Sequence, residues 1–243
     1  MYHSLKLHVP ITDTVTKHYN TYDDFFLVPT SRPVINPPAQ KRVTVDVPGA
    51  NGVLDLTNSL TPYPVFSNRQ GSIEFAVLND RPDGSSWSSV YWRLMNLIHG
   101  RKLRIELEDD LNWFYTGYLS VNEWRSNSDG TWSNVTLDYD LDPYKITDYV
   151  TRLQYSMTNT TTQFVWGLGR SEIGYMPIVP KITTTRSNVT VWSSLTDYRR
   201  TFERAGTYID PGFVFYAAGD GDETSLMTQG GGDIYLEFNQ GVL

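Results

Sequence analysis

The chain of 243 residues contains no cysteine. That single absence removes thiolate metal sites, a cysteine nucleophile and disulfide staples, and it leaves the redox compartment unreadable. Histidine is scarce too: His3, His8, His18 and His99 are the only ones, none pair at metal-ligand spacing, and none follows His99. A Ser-His-Asp arrangement would have to draw its base from the N-terminal part of the chain. No apolar run approaches the roughly 18 residues needed to cross a bilayer, and residues 1–10 are too polar for the apolar stretch of a signal peptide. The expectation is a soluble protein made in the cytoplasm. An excess of positive charge is also missing: 20 Lys and Arg stand against 27 Asp and Glu, a net charge of -7. Up to Asp148 there are 13 basic and 18 acidic side chains, with 7 and 9 beyond it, so neither part carries the basic stripe that a phosphate backbone requires.

What the chain has in quantity is aromatic surface, with 7 Trp, 16 Tyr and 10 Phe, alongside 18 Gly and 13 Pro. Aromatic and β-branched side chains fit a pleated surface, and Gly and Pro punctuate it, so the composition is that of a mainly β protein. At roughly 150 residues per domain the length allows one large domain or two small ones.

Short strands with breakers between them fill the first third: residues 2–9, the alternating KRVTVDV of residues 41–47, and GSIEFAVL of residues 71–78. The runs SRPVINPP (31–38) and PGANG (48–52) set loops, because Pro fixes φ and Gly permits positive φ. The period then changes. Ser85 or Ser86 suits a helix N-cap, Trp87, Val90, Tyr91, Leu94, Leu97 and Ile98 recur at helical spacing, and Gly100 supplies the stop. The spacing predicts an amphipathic helix over 86–99 lying on a sheet. A long hairpin follows, RKLRIEL (101–107), the turn EDDLN (108–112) and WFYTGYLSVNEW (113–124), with a further strand at 131–139. From Lys145 the composition shifts to Thr, Ser, Asn and Gly, which marks a junction. The expected domains are 1–148 and 149–243. The second is an all-β sandwich or jelly roll with strands at 164–167, 178–185, 188–192, 198–202, 212–217 and 232–238.

Candidate chemistry is thin. Glu106, Glu108, Asp109 and Asp110 crowd the hairpin, and paired carboxylates can cleave glycosides. Alternation instead puts Glu106 and Glu108 on the polar face of a strand, so a solvated hairpin is the expectation. Asp220, Asp222, Glu223 and Asp233 surround a Gly-rich stretch with oxygen donors suited to Ca²⁺, but without the spacing of an EF-hand loop. An acidic turn is the simpler reading. His99, at the end of the helix, is expected to meet the helix dipole and last carbonyls. Gly167-Leu168-Gly169 and Gly230-Gly231-Gly232 are not phosphate loops in a strand-to-helix context. Trp166, Tyr175, Trp192, Tyr198 and Tyr208 are expected chiefly as core aromatics. A glycan-stacking platform built on Trp166 and Trp192 is the minority alternative.

The order of segments resembles the siphophage distal tail proteins, the hub components of the tail tip or baseplate. The resemblance is carried by residues 45–52 (VDVPGANG) running into Leu54-Asp55-Leu56-Thr57, and by Asn68-Arg69 before the strand at 71–77. It continues through the Trp/Leu helix ending Ile98-His99-Gly100-Arg101-Lys102, the acidic hairpin 107–110, the strand entering Gly117, and Asp142-Pro143-Tyr144-Lys145. In the second part its cues are Pro180-Lys181-Ile182, Ala205-Gly206-Thr207, Pro211-Gly212 and the closing Gly241-Val242-Leu243. The resemblance implies a first domain with one helix and a long hairpin, a sandwich-like or barrel-like unit that forms a sixfold ring, and a galectin-like second domain pointing outward.

It implies a virion protein assembled in the host bacterial cytoplasm, with no catalytic residues, no metal and no cofactor. The ring would join the tail tube protein to the tail-associated hub protein or lysin and dock receptor-binding or fibre proteins, with DNA passing through its lumen rather than binding specifically. No membrane partner is implied. Trp113, Tyr115 and Tyr118, taken as lying on one side of the hairpin, are the expected subunit contacts. Two rivals remain at this level, a glycosidase and a carbohydrate-binding sandwich protein that contacts the host surface.

Overall fold

A computed structural model describes residues 3–12, 14–77, 84–126, 133–161, 163–194, 196, 198–216 and 224–243. The chain divides into two compact units, residues 1–60 with 64–145, and residues 61–63 with 146–243. In the first unit lie β1 (Leu5–Pro10), β2 (Thr16–Asn20), β3 (Leu27–Pro29), β4 (Thr44–Asp46), β5 (Val53–Asp55) and β6 (Arg69–Val77). Helix α1 (Trp87–Ile98) comes next, followed by β7 (Lys102–Leu107), β8 (Trp113–Ser126) and β9 (Ser133–Leu141). The main sheet runs β2-β1-β7-β8-β9-β6-β3, every pairing antiparallel.

Period-two alternation builds this core. Along β9 the residues Ser133, Val135, Leu137, Tyr139 and Leu141 are buried while those between them are not. Leu5, Leu7 and Val9 of β1, Ile73, Phe75 and Val77 of β6, and Leu103 and Ile105 of β7 join the same cluster. Helix α1 closes it with Val90, Leu94 and Ile98. Its start is fixed by Ser86, whose Oγ accepts from the Ser89 N–H at 3.3 Å. Gly100 follows the last turn in the left-handed region at φ +71°, where a side chain would be strained. Removing the cap with Ser86→Ala is expected to cost about 1 kcal/mol. It should lower the melting midpoint without changing the fold, as read by circular dichroism.

Three strands of the first unit, β2, β3 and β5, are absent from the sequence reading. β2 (TKHYN) is a polar edge strand, and β3 is three residues long and ends in Pro29, so neither shows an apolar period. The stretch 41–47 is not a member of the main sheet. Only Thr44–Asp46 is a strand, paired with β5 alone in a separate two-stranded ribbon. In β8 the register shifts between Val121 and Glu123, a bulge that turns Trp124 back toward the core. There its ring meets Trp87 and Tyr91 of α1 at centroid distances of 6.1 and 5.1 Å.

The remaining elements are β10 (Lys145–Thr147), β11 (Thr151–Met157), β12 (Phe164–Leu168), the single-turn α2 (Arg170–Ile173), β13 (Lys181–Thr184) and β14 (Val189–Ser193). After them come β15 (Arg199–Phe202), β16 (Gly206–Ile209), β17 (Thr224–Gln229), β18 (Gly232–Phe238) and β19 (Gly241–Val242). Two four-stranded antiparallel sheets, β11-β18-β13-β16 and β12-β17-β14-β15, enclose one core. Ile182, Ile234 and Leu236 come from the first sheet and Leu168, Val189, Val191 and Leu226 from the second, so the second unit is a β-sandwich. Of the expected strand at 212–217, the described residues 212–216 form no strand. Phe213 and Phe215 instead plug the core from a loop that opens at Pro211-Gly212, with Phe215 bridging only to Ile178. Among the described residues no helix is long and apolar enough to cross a membrane.

Candidate functional site

The crowded carboxylates of the β7–β8 hairpin are each committed to a different partner. Glu106, expected on a solvated face, is only 7% exposed. It points away from Leu103 and Ile105 but is covered from β1, with Oε1 3.4 Å from Lys6 Nζ and Oε2 3.4 Å from His8 Nε2. Glu108 Oε2 accepts from the Ser4 N–H at 3.0 Å. Asp109 Oδ2 lies 2.9 Å from Arg32 Nε and 2.8 Å from His3 Nδ1. Desolvation raises the Asp109 pKa, but the hydrogen bonds from Arg32 and His3 outweigh it and hold the carboxyl below its ordinary value. Asp110 takes Lys145 Nζ at 2.5 Å. The cluster clamps the hairpin turn to the N-terminal strand and to residues 32 and 145, and pairs no two carboxylates for acid/base work.

The three hairpin aromatics do not share a face. Tyr115 is 6% exposed, in the core, with the Arg69 guanidinium 5.5 Å above its ring. Trp113 is half-buried beneath Lys145, whose Nζ is 5.5 Å from the ring centre. Tyr118 alone is open, at 49%. The reason is the period of a strand: 113 and 115 fall on one face, and 118 falls on the other.

Trp166 and Trp192 are not brought together either. Trp166 pairs in register with Leu226 and Trp192 with Met227, adjacent residues of β17, so the two indoles emerge on opposite faces of their sheet. Trp166 packs on Tyr155 at 4.8 Å and donates from Nε1 to Thr228 Oγ1 at 3.1 Å. Trp192 is buried, with the Arg199 guanidinium 4.0 Å from its ring. Tyr208 stacks on Phe202 at 4.4 Å, and Tyr175 stands exposed beneath Arg170 at 4.3 Å. Tyr198 rests on Phe213 at 5.0 Å. These aromatics serve local packing and no common platform.

Tyr198 also belongs to a polar knot around buried Asp210. Its hydroxyl donates to Asp210 Oδ2 at 3.0 Å, the Gly212 N–H donates to Oδ1 at 3.0 Å, and Arg200 pairs with Oδ2. Burial raises the Asp210 pKa, but these donors prevail and hold the carboxyl below its ordinary 3.8. The stability it contributes is therefore complete above the unfolded value and is lost as pH falls below 3.8 through the lower native value. Asp210→Asn should flatten that acid limb of the melting-temperature profile, and an unchanged limb would remove Asp210 as its cause.

Asp220, Asp222 and Glu223 lie outside the described residues. Asp233 is in β18, its N–H donating to Thr185 Oγ1 at 2.8 Å. His99 caps α1 through its backbone N–H, which donates to Met95 O at 3.0 Å, rather than through its ring. No two histidines stand at metal-ligand spacing along the sequence, but the fold brings one pair together. His8 and His18 stand opposite one another across β1 and β2, their Nδ1 atoms 2.8 Å apart. Spacing in the sequence does not reveal the pair because β2 itself is not legible there.

One surface was not singled out from sequence. In the β4–β5 ribbon Val45 and Leu54 are direct cross-strand partners on one face, 44% and 53% exposed, with exposed Val43 and Val47 alternating beside them. Gly49 and Gly52 turn the ribbon at φ +83° and +78°. The alternation of KRVTVDV signals a strand with one face covered, and among the described residues no layer covers it.

No family model and no curated protein matches the sequence. The structure does match a solved one. The crystal structure of the SPP1 Dit (gp 19.1) protein, described as a paradigm of the hub adsorption apparatus in Gram-positive-infecting phages, superposes with a TM-score of 0.62 at 12% identity. The likeness to Dit is one of fold. It takes in 98% of this chain and 99% of that one, so both units are included and little of Dit is left over.

Proposed function

We propose that this chain is a structural, non-enzymatic subunit of a bacteriophage tail tip or baseplate, assembled in the host cytoplasm and carried in the virion. The observation that carries the reading is the end-to-end match to Dit, a hub adsorption protein of another phage. In this reading the unit built on residues 1–148 closes into a homohexameric hub ring between the tail tube protein and the tail-associated hub protein or lysin. The sandwich at 149–243 docks receptor-binding or fibre proteins.

Two observations support a ring-forming first unit. The apolar face of the β4–β5 ribbon is uncovered, and a neighbouring copy related by rotation is the partner that repeats identically at every position. Tyr118, on the outward face of the long hairpin, adds an exposed aromatic of the kind enriched at interfaces. The net charge of -7 suits a lumen through which DNA passes without sticking. Nothing in the placement of Trp166 and Trp192 favours a glycan platform over this reading.

The test is mass and symmetry. Sedimentation and negative-stain imaging at high concentration, with and without the adjoining tail protein, should show a sixfold particle with six times the 27.8 kDa chain mass. Monomers under all of these conditions would overturn the proposal.

A further inference from the structure

The outer face of the β1–β2 edge carries two imidazoles that a role in tail assembly does not use. His8 and His18 are directly opposed in the antiparallel register, their Nδ1 atoms 2.8 Å apart and their rings edge to face at 4.6 Å. The His8 ring is held from below by Phe114, centroid to centroid 4.9 Å, and its Nε2 lies 3.4 Å from Glu106 Oε2. Glu106 is itself buried. Beside the pair opens a cleft of about 370 Å³, lined among others by Asn20, Asp23, Asp24 and Glu106.

Beside His8, Glu106 Oε2 lies 3.4 Å from Nε2 in an ion-pair contact, and His8 Nδ1 faces His18. Two nitrogens each about 2.05 Å from one tetrahedral ion are about 3.3 Å apart. At the observed 2.8 Å the two nitrogens are hydrogen-bonded, and an opening of about 0.5 Å brings them to the separation a shared ion requires. Charge also favours a cation: Glu106, Asp23 and Asp24 border the cleft, against Lys6 on its rim and Arg104, which opposes His8 from β7.

We propose that His8 and His18 form a two-imidazole site for a divalent transition-metal ion of the Zn²⁺ class, on the acidic edge of the cleft. Among the described residues no three or more ligating side chains converge, so water fills the remaining positions. Nitrogen donors select Zn²⁺, Ni²⁺ or Cu²⁺ over the oxygen-preferring Ca²⁺ and Mg²⁺. The bound ion would pin the edge strand β2 to β1. This inference does not depend on the tail-tip reading.

Full-length, tag-free, chelator-treated protein titrated calorimetrically with ZnCl₂ should give a saturable one-to-one isotherm, and CaCl₂ should give none. Zn²⁺ should also raise the melting temperature. His18 is exposed, so His18→Ala folds, and it should abolish both the heat and the shift. Absence of Zn²⁺ binding by the wild type, or equal binding by His18→Ala, would overturn the site and leave a plain hydrogen bond between two imidazoles.

Discussion

Val45→Asp combined with Leu54→Asp should leave the chain monomeric at concentrations where the wild type sediments as a ring, with an unchanged melting temperature. The two residues face each other across the β4–β5 ribbon and already contact water in the isolated chain. Charging them therefore removes nothing from the fold of a single copy, and surface substitutions of this kind stay within about 0.5 kcal/mol. In a ring whose neighbour covers that face, two carboxylates would be desolvated without partners, at a few kcal/mol each. At about 1.4 kcal/mol per factor of ten, the dissociation constant of each contact rises by about four orders of magnitude. Analytical ultracentrifugation separates the outcomes. A ring that survives the double substitution would place the subunit contact elsewhere, and Tyr118→Ala on the other exposed surface becomes the next variant to sediment.

This prediction rests on a signal that was legible in the sequence but incomplete. The alternation at 41–47 marks a strand with one apolar face, and the ribbon has that face. What the alternation does not reveal is whether the covering layer belongs to the same chain. Legibility elsewhere followed how local the determinant was. Helix α1 was readable because its cap, its apolar stripe and its Gly stop all lie within sixteen residues, and Ser86, Val90, Leu94, Ile98 and Gly100 occupy those roles. The course of β9 and β18 was readable because each alternates over its whole length.

The losses came where a tertiary neighbour decides. Glu106 looks solvent-facing by alternation, and it is buried because Lys6 and His8, about a hundred positions away, roof it over. The His8–His18 pair depends on the pairing of a polar edge strand with no apolar period. Tyr115 and Tyr118 were grouped although an odd separation along a strand puts them on opposite faces. The β17 strand was missed because it adjoins a Gly-rich stretch that reads as loop. Along the hairpin, residues 117–119 show the limit most clearly. Gly117 looks like an ordinary small residue in an aromatic strand, and its necessity becomes visible only when both flanking strands are in place.

Replacing Gly117 with alanine should destabilise the first unit by about 3 kcal/mol, placing it among the more damaging single substitutions in the sheet. Gly117 sits in β8 opposite Leu103 of β7 and Leu141 of β9, with φ +159°. A Cβ there would run into the Asp140 carbonyl oxygen and stand 2.7 Å from Leu141 Cα, and both obstacles are backbone that cannot swing aside. Relief requires β8 and β9 to part where Asp142 N donates to Thr116 O at 2.7 Å. Parting them loosens the strand that carries Tyr115 into the core. For a unit of this size the loss corresponds to a fall of about 10 °C in its melting transition. The second unit has its own core and should melt where it did. Ser120→Ala, exposed on the same strand, is the matched control and should move the midpoint by less than about 0.5 kcal/mol equivalent. Equal midpoints for the two variants would mean that β8 and β9 do not approach each other as closely as the Gly117 contacts require.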